Sequence, residues 1–275
     1  MILARVVAGR RSVRLTLQGP LPTTKGAADW SCGSHALVRL EGVDGERPYT
    51  PYQRKGASGA GPFELVVKAY VEGVLSPRIA SLQPGDALLL RGPLSGAPTL
   101  VAGVRAIGLV AGGTGLTPML QVIYSLVRSR ARQQPEVVPR LTDAPPHSAS
   151  RDMSSAFASG TDVGGYAGGG AEGGVLPSLR LVCFNRQEED ILVPDELAEL
   201  SAAHPGLQVF HSLSDPPPAW SGGVGRPSKQ TLQAQLPAPA PDVRVFWCGP
   251  PAFNSVVRQL LGELGYTDDM VHEFS

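Results

Sequence analysis

The sequence has few cysteines and no excess of charge of either sign. Its three cysteines, Cys32, Cys183 and Cys248, lie far apart and form no CxxC pair. This argues against a disulfide-stabilised scaffold and against a zinc site, and it indicates a reducing compartment. Lysine plus arginine and aspartate plus glutamate each number 24, so the formal net charge is zero. That balance argues against a broad nucleic-acid-binding face but leaves room for a local charged patch that docks a partner.

Long apolar runs are also missing. No run in the sequence reaches the length that is needed to span a bilayer. The chain starts Met-Ile and so carries no N-myristoylation signal. We therefore expect no transmembrane segment and an intracellular protein, either cytoplasmic or associated with an organelle. The histidines show no metal-ligand spacing and no Ser–His–Asp arrangement stands out, so no metal site is predicted.

The first segment, 1–18, contains four arginines and no acidic residue. This composition is also found in organelle transit peptides. Val13, Leu15 and Leu17 alternate with polar residues, however, which is typical of a half-buried β-strand. We favour the strand over the transit peptide.

The hydrophobic pattern changes along the 275 residues. Residues 12–91 contain short alternating runs separated by turns, which predicts a small antiparallel β-barrel or sandwich. Beyond about residue 104, apolar strands alternate with amphipathic helices, which is typical of a parallel sheet covered by helices. The strands that we predict there are 106–111, 179–184, 207–213 and 243–248. With a linker at 92–98, the predicted domains are 1–98 and 99–275.

One segment, 131–177, departs from this pattern. It is rich in glycine, alanine, serine and proline. Such a composition cannot bury enough apolar surface to offset the entropy lost on ordering. We predict a disordered insertion within the second domain, and we favour a neutral expansion over a regulatory element.

The stretch Gly112–Pro118 (GGTGLTP) joins a predicted strand to a predicted helix. Glycines let a backbone approach a ligand closely, and the start of a helix offers unpaired N–H groups to a phosphate. Thr117 is a candidate helix N-cap, and Pro118 suits the first turn. Because Pro118 stands where the dinucleotide fingerprint has its third glycine, two interpretations remain open: a pyrophosphate site or a tight structural turn.

Three further stretches carry candidate site residues. Arg47–Pro51 (RPYTP) combines an arginine that can pair with a pyrophosphate, a tyrosine that can lie against a flat ring and a threonine that can hydrogen-bond a ring atom. Cys248–Pro251 (CGPP) ends a predicted strand, where ligands of open α/β sheets bind. Asp190 and its acidic neighbours follow another strand and can bind a ribose diol or simply favour a helix N-terminus.

Seven motifs stand in the order in which they occur in NADH–cytochrome b5 reductases, members of the wider ferredoxin–NADP reductase superfamily. They are RPYTP at 47–51, VVKAY at 66–70, GVLS at 73–76, GDALLLRGP at 85–93, AGGTGLTPMLQVI at 111–123, FNRQEEDIL at 184–192 and CGPP at 248–251. The chain resembles this family over nearly all of its length outside 131–177. The resemblance implies a FAD-binding antiparallel β-barrel followed by an NAD-binding α/β domain, with FAD in the cleft between them.

The resemblance also implies roles for residues of the first domain. Arg47 and Pro48 would hold FAD at its pyrophosphate, Tyr49 would pack on the flavin and Thr50 would lie near its reactive edge. Lys68 would help to accept NADH. The residues that would cradle the FAD diphosphate are Gly73, Leu75 and Ser76.

For the second domain the resemblance implies the NADH site. Asp190 would select NADH over NADPH, and Phe274 resembles the aromatic end of the family's C-terminus. The NADH diphosphate would lie on Gly113, Thr114 and Gly115, and the nicotinamide beside Cys248, Gly249 and Pro250. The residues expected to act in catalysis are Thr50, Lys68, Thr117 and Cys248.

The implied reaction is hydride transfer from NADH to FAD, followed by transfer of single electrons to a haem protein such as cytochrome b5. Two alternatives remain open: a reductase of the same fold that serves an iron–sulfur or other haem acceptor, and a non-catalytic nucleotide-sensing module. We expect a monomer.

Overall fold

The computed structural model describes residues 1–18, 30, 32–54, 61–94, 103–133 and 177–274. Most of the predicted insertion 131–177, and the predicted boundary between residues 98 and 99, lie outside these ranges. Among the described residues, no helix combines the length and the apolar character that crossing a bilayer requires.

The first part of the chain forms short antiparallel strands. The elements are β1 (Ile2–Gly9), β2 (Ser12–Leu17), β3 (His35–Arg39), β4 (Arg47–Tyr49), β5 (Phe63–Lys68), α1 (Leu75–Ser81) and β6 (Leu89–Leu94). They pair in two three-stranded sheets, in the orders β1–β2–β5 and β4–β3–β6. The predicted strand at the start of the chain is confirmed as β2. Strand β1 shows no alternation of apolar and polar residues, because the apolar residues Val6 and Val7 are both exposed.

The two sheets meet at both edges. On one side, backbone bonds of 2.9 Å join Ile2 to Gly85 and Asp86; on the other, Tyr52 and Glu64 exchange bonds of 3.1 and 2.7 Å. The predicted antiparallel domain is confirmed, but in the described residues no continuous ladder closes it into a barrel. The sheets enclose one apolar core, which includes Leu15, Leu17, Val38, Leu65, Val67 and Ile79.

The second part of the chain alternates strands and helices, as predicted. Its elements are β7 (Ala106–Gly112), α2 (Leu116–Gln133), β8 (Ser178–Asn185), α3 (Pro194–Ala203), β9 (Leu207–Leu213), β10 (Gly223–Val224), α4 (Lys229–Gln235), β11 (Val243–Cys248), α5 (Pro251–Glu263) and β12 (Val271–Glu273). The strands form one sheet of six in the order β10–β9–β8–β7–β11–β12, and every pair is parallel. The four predicted strands are confirmed to within one residue at each end.

Side chains of the central strand β7 are buried on both faces of this sheet. Ile107 and Leu109 belong to a core formed with α2 and α3, whereas Ala106 and Val110 belong to a core formed with α4 and α5. Successive residues of a strand point to opposite faces, so a strand covered on both sides reads as a continuous apolar run. This explains why the run AIGLVA was recognisable from sequence.

The first domain packs on the α2 and α3 side of the sheet. Tyr52 and Val66 are buried in the same cluster as Met119 and Leu120 of α2. The two domains therefore share a continuous apolar core, which fixes how they face one another across the cleft described next.

Candidate functional site

A cleft of about 670 Å³ lies between the two domains. It opens where the sheet reverses its order: from β7 the chain builds outward through β8 and β9, then returns to place β11 on the other side of β7. Ligands of open α/β sheets bind at such a switch point, outside the carboxyl ends of the strands. The volume is in the range of cofactor pockets.

The cleft brings together most of the predicted site residues. From the first domain it is lined by His35, Asp44, Gly45, Arg47, Pro48, Tyr49, Thr50, Val66, Lys68, Tyr70, Glu72, Gly73, Val74, Leu75 and Ser76. From the second domain it is lined by Thr114, Gly115, Thr117, Pro118, Cys248, Gly249 and Pro250. Residues that lie about 40 to 215 positions apart in the chain thus form two facing walls.

The glycine loop packs directly on the turn after β11. A Cβ atom added to Gly115 would lie 2.0 Å from the carbonyl oxygen of Cys248 and 2.9 Å from the amide nitrogen of Gly249. No real Cβ atom approaches a backbone so closely. Gly113 adopts a left-handed φ of +56° and is not among the residues that line the cleft. Gly113 is therefore required by the left-handed backbone of the turn, and Gly115 by the close contact with the backbone of Cys248 and Gly249.

Thr117 is not the helix N-cap that the sequence suggested. Residues Gly113–Gly115 form a 3-10 turn that runs straight into α2, which begins at Leu116. The Thr117 hydroxyl donates to the carbonyl oxygen of Thr114 at 3.1 Å, whereas an N-cap side chain accepts from a backbone N–H group. Pro118 lies in the first turn of α2, as predicted.

Arg47 and Tyr49 lie on β4, in the wall formed by the first domain. The guanidinium of Arg47 donates to the carbonyl oxygen of Glu46 at 3.0 Å, and none of the ion pairs among the described residues includes it. Burial, followed by the proximity of Tyr70, raises the pKa of Tyr49 to about 12. The wall formed by the first domain therefore carries the positive charge of Arg47, which has no carboxylate partner among the described residues. Beside it lies the neutral phenol of Tyr49.

The turn before α1 folds tightly around Gly73. A Cβ atom on Gly73 would lie 2.7 Å from Oγ of Ser76 and 3.1 Å from the carbonyl oxygen of Tyr70. The Ser76 hydroxyl accepts from the amide of Tyr70 at 3.2 Å, which folds the turn on itself. The turn is thus compact, and glycine at position 73 permits the close approach of its own atoms.

Lys68 and Asp190 form an ion pair that crosses between the domains. Nζ of Lys68 lies 3.0 Å from Oδ1 of Asp190, and Oδ2 accepts from the amide of Gln187 at 3.3 Å. Lys68 lines the cleft, but Asp190 is buried and does not. The structure therefore does not bring Asp190 to the cleft as the resemblance implied, because both of its carboxylate oxygens have protein partners.

A second, shallower hollow lies beside this ion pair. It is lined by Gln187, Glu188, Glu189, Asp215, Pro216 and Pro217. These residues follow the carboxyl ends of β8 and β9, and all three acids are exposed. The acidic groups that remain accessible at this edge of the sheet are therefore the neighbours of Asp190 rather than Asp190 itself.

Phe274 does not line the cleft either. Its amide donates to the carbonyl oxygen of Trp247 at 2.9 Å, which continues the pairing of β12 with β11. Its ring stacks on Phe246 with centroids 5.6 Å apart and is buried in the core beside α2. The last aromatic residue is thus a core residue in this structure, and Ser275 lies outside the described range.

Several cleft residues had no predicted role, among them Tyr70 and His35. The hydroxyl of Tyr70 lies 3.3 Å from Oγ1 of Thr114, a contact that joins the two walls, and His35 lines the cleft from β3. Tyr70 belongs to the motif VVKAY, so its position in a recognised motif was available as a signal. For His35 the sequence contains no local motif, because the residues that line the cleft with it come from other parts of the chain.

Cys248 lines the cleft as a protonated thiol. Burial, with a smaller contribution from Glu273, raises its pKa to about 11. The reactive species is the thiolate, and the raised pKa keeps Cys248 mostly protonated at pH 8. The side chain is accordingly a small neutral surface in the cleft and not a nucleophile.

We therefore expect slow alkylation of Cys248 in the native protein. Iodoacetamide at pH 8 should label it far more slowly than in the urea-unfolded chain, and the rate should rise as the pH approaches the raised pKa. Labelling is followed by peptide mass spectrometry, and Cys183 serves as an internal control because burial raises its pKa to about 12. Rapid labelling of Cys248 in the folded protein at neutral pH would contradict the assignment.

Two family models match the chain. Residues 10–97 match the oxidoreductase FAD-binding domain, and residues 177–259 match the oxidoreductase NAD-binding domain. NADH-cytochrome b5 reductase 1 of Aspergillus terreus is 35% identical over 221 residues, which cover 80% of this chain and 61% of that protein. The protein of the same name from Emericella nidulans is 33% identical over 80% of this chain and 58% of its own length. The chain thus spans about 60% of the length of these relatives.

Solved structures share the fold. The CS-b5R domains of human Ncb5or superpose with a TM-score of 0.72 at 22% identity, covering 100% of this chain and 68% of that one. The cytochrome b5 reductase domain of Ulva prolifera nitrate reductase superposes with a TM-score of 0.71 at 22% identity, covering 99% and 95%. The two-domain arrangement predicted from the sequence is confirmed by these comparisons.

Proposed function

The chain belongs to the family of FAD- and NAD-binding oxidoreductases that contains the NADH–cytochrome b5 reductases, and on this premise we propose that it carries electrons from NADH through FAD to a haem protein such as cytochrome b5. The observation that carries the proposal is the cleft between the domains. Each of its walls holds groups suited to a diphosphate, and the walls face one another across a volume of about 670 Å³.

FAD fits the wall of the first domain. Arg47 can pair with its pyrophosphate through two parallel hydrogen bonds, and the compact turn from Gly73 to Ser76 lines the same cleft. The neutral ring of Tyr49 can lie against the flavin, while Thr50 can hydrogen-bond it. When it is bound, FAD supplies the redox chemistry that side chains lack, accepting a hydride and releasing electrons one at a time.

The nicotinamide nucleotide is assigned to the wall of the second domain. Thr114 and Gly115 lie at the start of α2, where N–H groups and the helix dipole favour a phosphate. The turn at Cys248 and Gly249 packs against the glycine loop on this side of the cleft. The thiol of Cys248 keeps its proton, so it presents a neutral surface and does not compete as a nucleophile.

NADH is the proposed donor because accessible acids follow β8 and β9. Glu188, which has no ion pair among the described residues, would accept hydrogen bonds from a ribose diol. Glu189 and Asp215, which already contact Arg10 and Gln187, add negative charge that would repel the 2′-phosphate of NADPH. Lys68 lines the cleft and is steadied by Asp190, so its ammonium group can attract an anionic cofactor from a fixed position. Asp190 thereby acts on the donor site through Lys68.

The proposal is tested by the colour of the protein. The purified protein should show visible flavin bands that bleach when NADH is added without oxygen. Replacing Arg47 with alanine should weaken FAD binding about 10- to 100-fold, because a hydrogen bond to a charged group contributes about 1.5–3 kcal/mol. Titration of the apoprotein with FAD, followed by flavin fluorescence, measures the change.

The matched control is Arg39→Ala, an exposed arginine on β3 that does not line the cleft. This variant should bind FAD as the unchanged protein does. Mixing the reduced protein with cytochrome b5 or with an iron–sulfur protein then identifies the acceptor from the change in absorbance. A protein that takes up no FAD would contradict the proposed function.

A further inference from the structure

Residues 51–54 form a strap that joins the flavin wall to the second domain. The strap follows directly on Thr50, and each of its four residues contacts α2 or α3. The contacts are Pro51 O with Nε2 of Gln121 at 2.8 Å, Tyr52 OH with Oε2 of Glu196 at 3.2 Å, Gln53 O with Nη1 of Arg128 at 2.8 Å, and Nε of Arg54 with Oε1 of Glu196 at 3.5 Å. Four consecutive residues are therefore fixed to helices of the other domain.

Gln121 is the contact nearest to the cleft, and it uses both ends of its amide. Nε2 donates to the carbonyl oxygens of Pro51, at 2.8 Å, and of Ser34, at 3.0 Å, while Oε1 accepts from the amide of Gly33 at 2.5 Å. The residue is 1% exposed. A carboxamide is the side chain that offers two donors and an acceptor in this geometry, so one buried group holds two separate segments of the first domain.

The position of Gln121 on α2 links these segments to the nucleotide wall. It follows Thr117 by four residues, and positions four apart lie on the same face of a helix. Thr117 and Pro118 line the cleft on that face, and Pro51 adjoins Thr50 on the opposite wall. Thr117, on the wall assigned to the nicotinamide, is thus one helical turn from Gln121. Gln121 in turn is bonded to Pro51, which adjoins the wall assigned to the flavin.

We propose that Gln121 is a positioning residue that sets the separation of the two walls, and hence of the two rings that they hold. The inference rests on the function proposed above. Hydride transfer between two bound rings requires a defined approach of the reacting atoms, and a displacement of about 1 Å can slow such a step about 100-fold. Gln121 is not among the residues that line the cleft; it acts through Pro51 and Ser34.

The test is Gln121→Met, which keeps the length and volume of the side chain and removes its hydrogen bonds. FAD content and the Kd for NAD⁺ should stay within about twofold, whereas flavin bleaching at saturating NADH should slow about 10- to 100-fold. Two further readouts are independent of turnover. Deuterium uptake at residues 33–34 and 50–52 should rise in the nucleotide-free protein, and the long-wavelength charge-transfer band of NAD⁺ with the reduced protein should weaken.

Gln259→Met is the matched control, because Gln259 is exposed on α5 and bonds only within its helix, to Glu263. It should change none of these readouts.

Gln121→Asn keeps the amide but shortens the side chain by one methylene group. This variant replaces the methionine variant if the latter does not fold, and it should also slow bleaching.

The outcomes separate the two proposals. If the unchanged protein does not bleach with NADH, the proposed function fails. If it bleaches and both Gln121 variants bleach at the same rate, the positioning role is overturned. Loss of FAD binding in both variants would also overturn it, because Gln121 would then be a residue of the flavin site or of the fold.

Discussion

Replacing Gly115 with alanine should reduce NADH-dependent bleaching of the flavin by at least about 100-fold. The added methyl group would lie 2.0 Å from the carbonyl oxygen of Cys248 and 2.4 Å from its carbonyl carbon. These are backbone atoms, which cannot turn aside as the end of a flexible side chain can. The glycine loop and the turn after β11 must therefore separate, and the wall assigned to the nicotinamide is disrupted.

The measurement compares the rate of bleaching at saturating NADH with the affinity for FAD. Because Gly115 belongs to the wall opposite to Arg47 and Gly73, FAD binding should change little. Gly262→Ala is the matched control: Gly262 lies within α5, and nothing would lie within 4 Å of its new Cβ atom. An alanine there should raise stability by about 0.8–1 kcal/mol. Unimpaired bleaching in the Gly115 variant would show that the two loops do not have to touch.

Replacing Glu196 with alanine should lower the free energy of unfolding by about 3–5 kcal/mol. The Glu196 side chain is 1% exposed and lies in an ion pair with Arg14. It also accepts from the hydroxyl of Tyr124 at 2.7 Å and from that of Tyr52 at 3.2 Å, and Arg54 lies 3.5 Å away. Removing Glu196 leaves Arg14 with the more distant carboxylate of Glu64, at 3.9 Å, and leaves two phenols without their acceptor, which is why the expected loss is large.

Glu199→Ala is the control for this prediction. Glu199 lies on the same helix and pairs with Arg54 at 3.3 Å, but its side chain is 72% exposed. An exposed pair contributes about 1 kcal/mol or less. Urea unfolding of both variants, followed by tryptophan fluorescence, measures the difference. Similar urea midpoints for the Glu196 and Glu199 variants would contradict the prediction. They would mean that water or a local rearrangement replaces the interactions that Glu196 makes.

The Glu196 and Gly115 variants also distinguish two roles of the domain interface, stability and the arrangement of the cleft. Glu196 joins strands of the first domain to α2 and α3, away from the residues that line the cleft. Its loss should therefore act first on stability, whereas the loss of Gly115 should act first on bleaching. The contrast tests whether the cleft and the rest of the interface can be changed independently.

The sequence by itself determined the elements and the two kinds of domain. Strand β7 was recognisable because burial on both faces produces an unbroken apolar run, and α5 because its apolar residues recur at helical spacing. The motifs around Arg47, Gly73, Gly115 and Cys248 were recognisable because each is a short stretch whose residues act together over a few positions. These are local properties, and the topology then brought the four stretches to one cleft.

Only the tertiary structure decided which side chains face which. Lys68 and Asp190 are 122 residues apart, Arg14 and Glu196 are 182 apart, and Pro51 and Gln121 are 70 apart. No local periodicity encodes such pairs, because a helix or strand fixes only the relative directions of side chains within that element. The ion pair of Asp190 with Lys68 was therefore not predicted, and neither were the contacts of Gln121 and Glu196. Their partners exist only once the two domains have packed together.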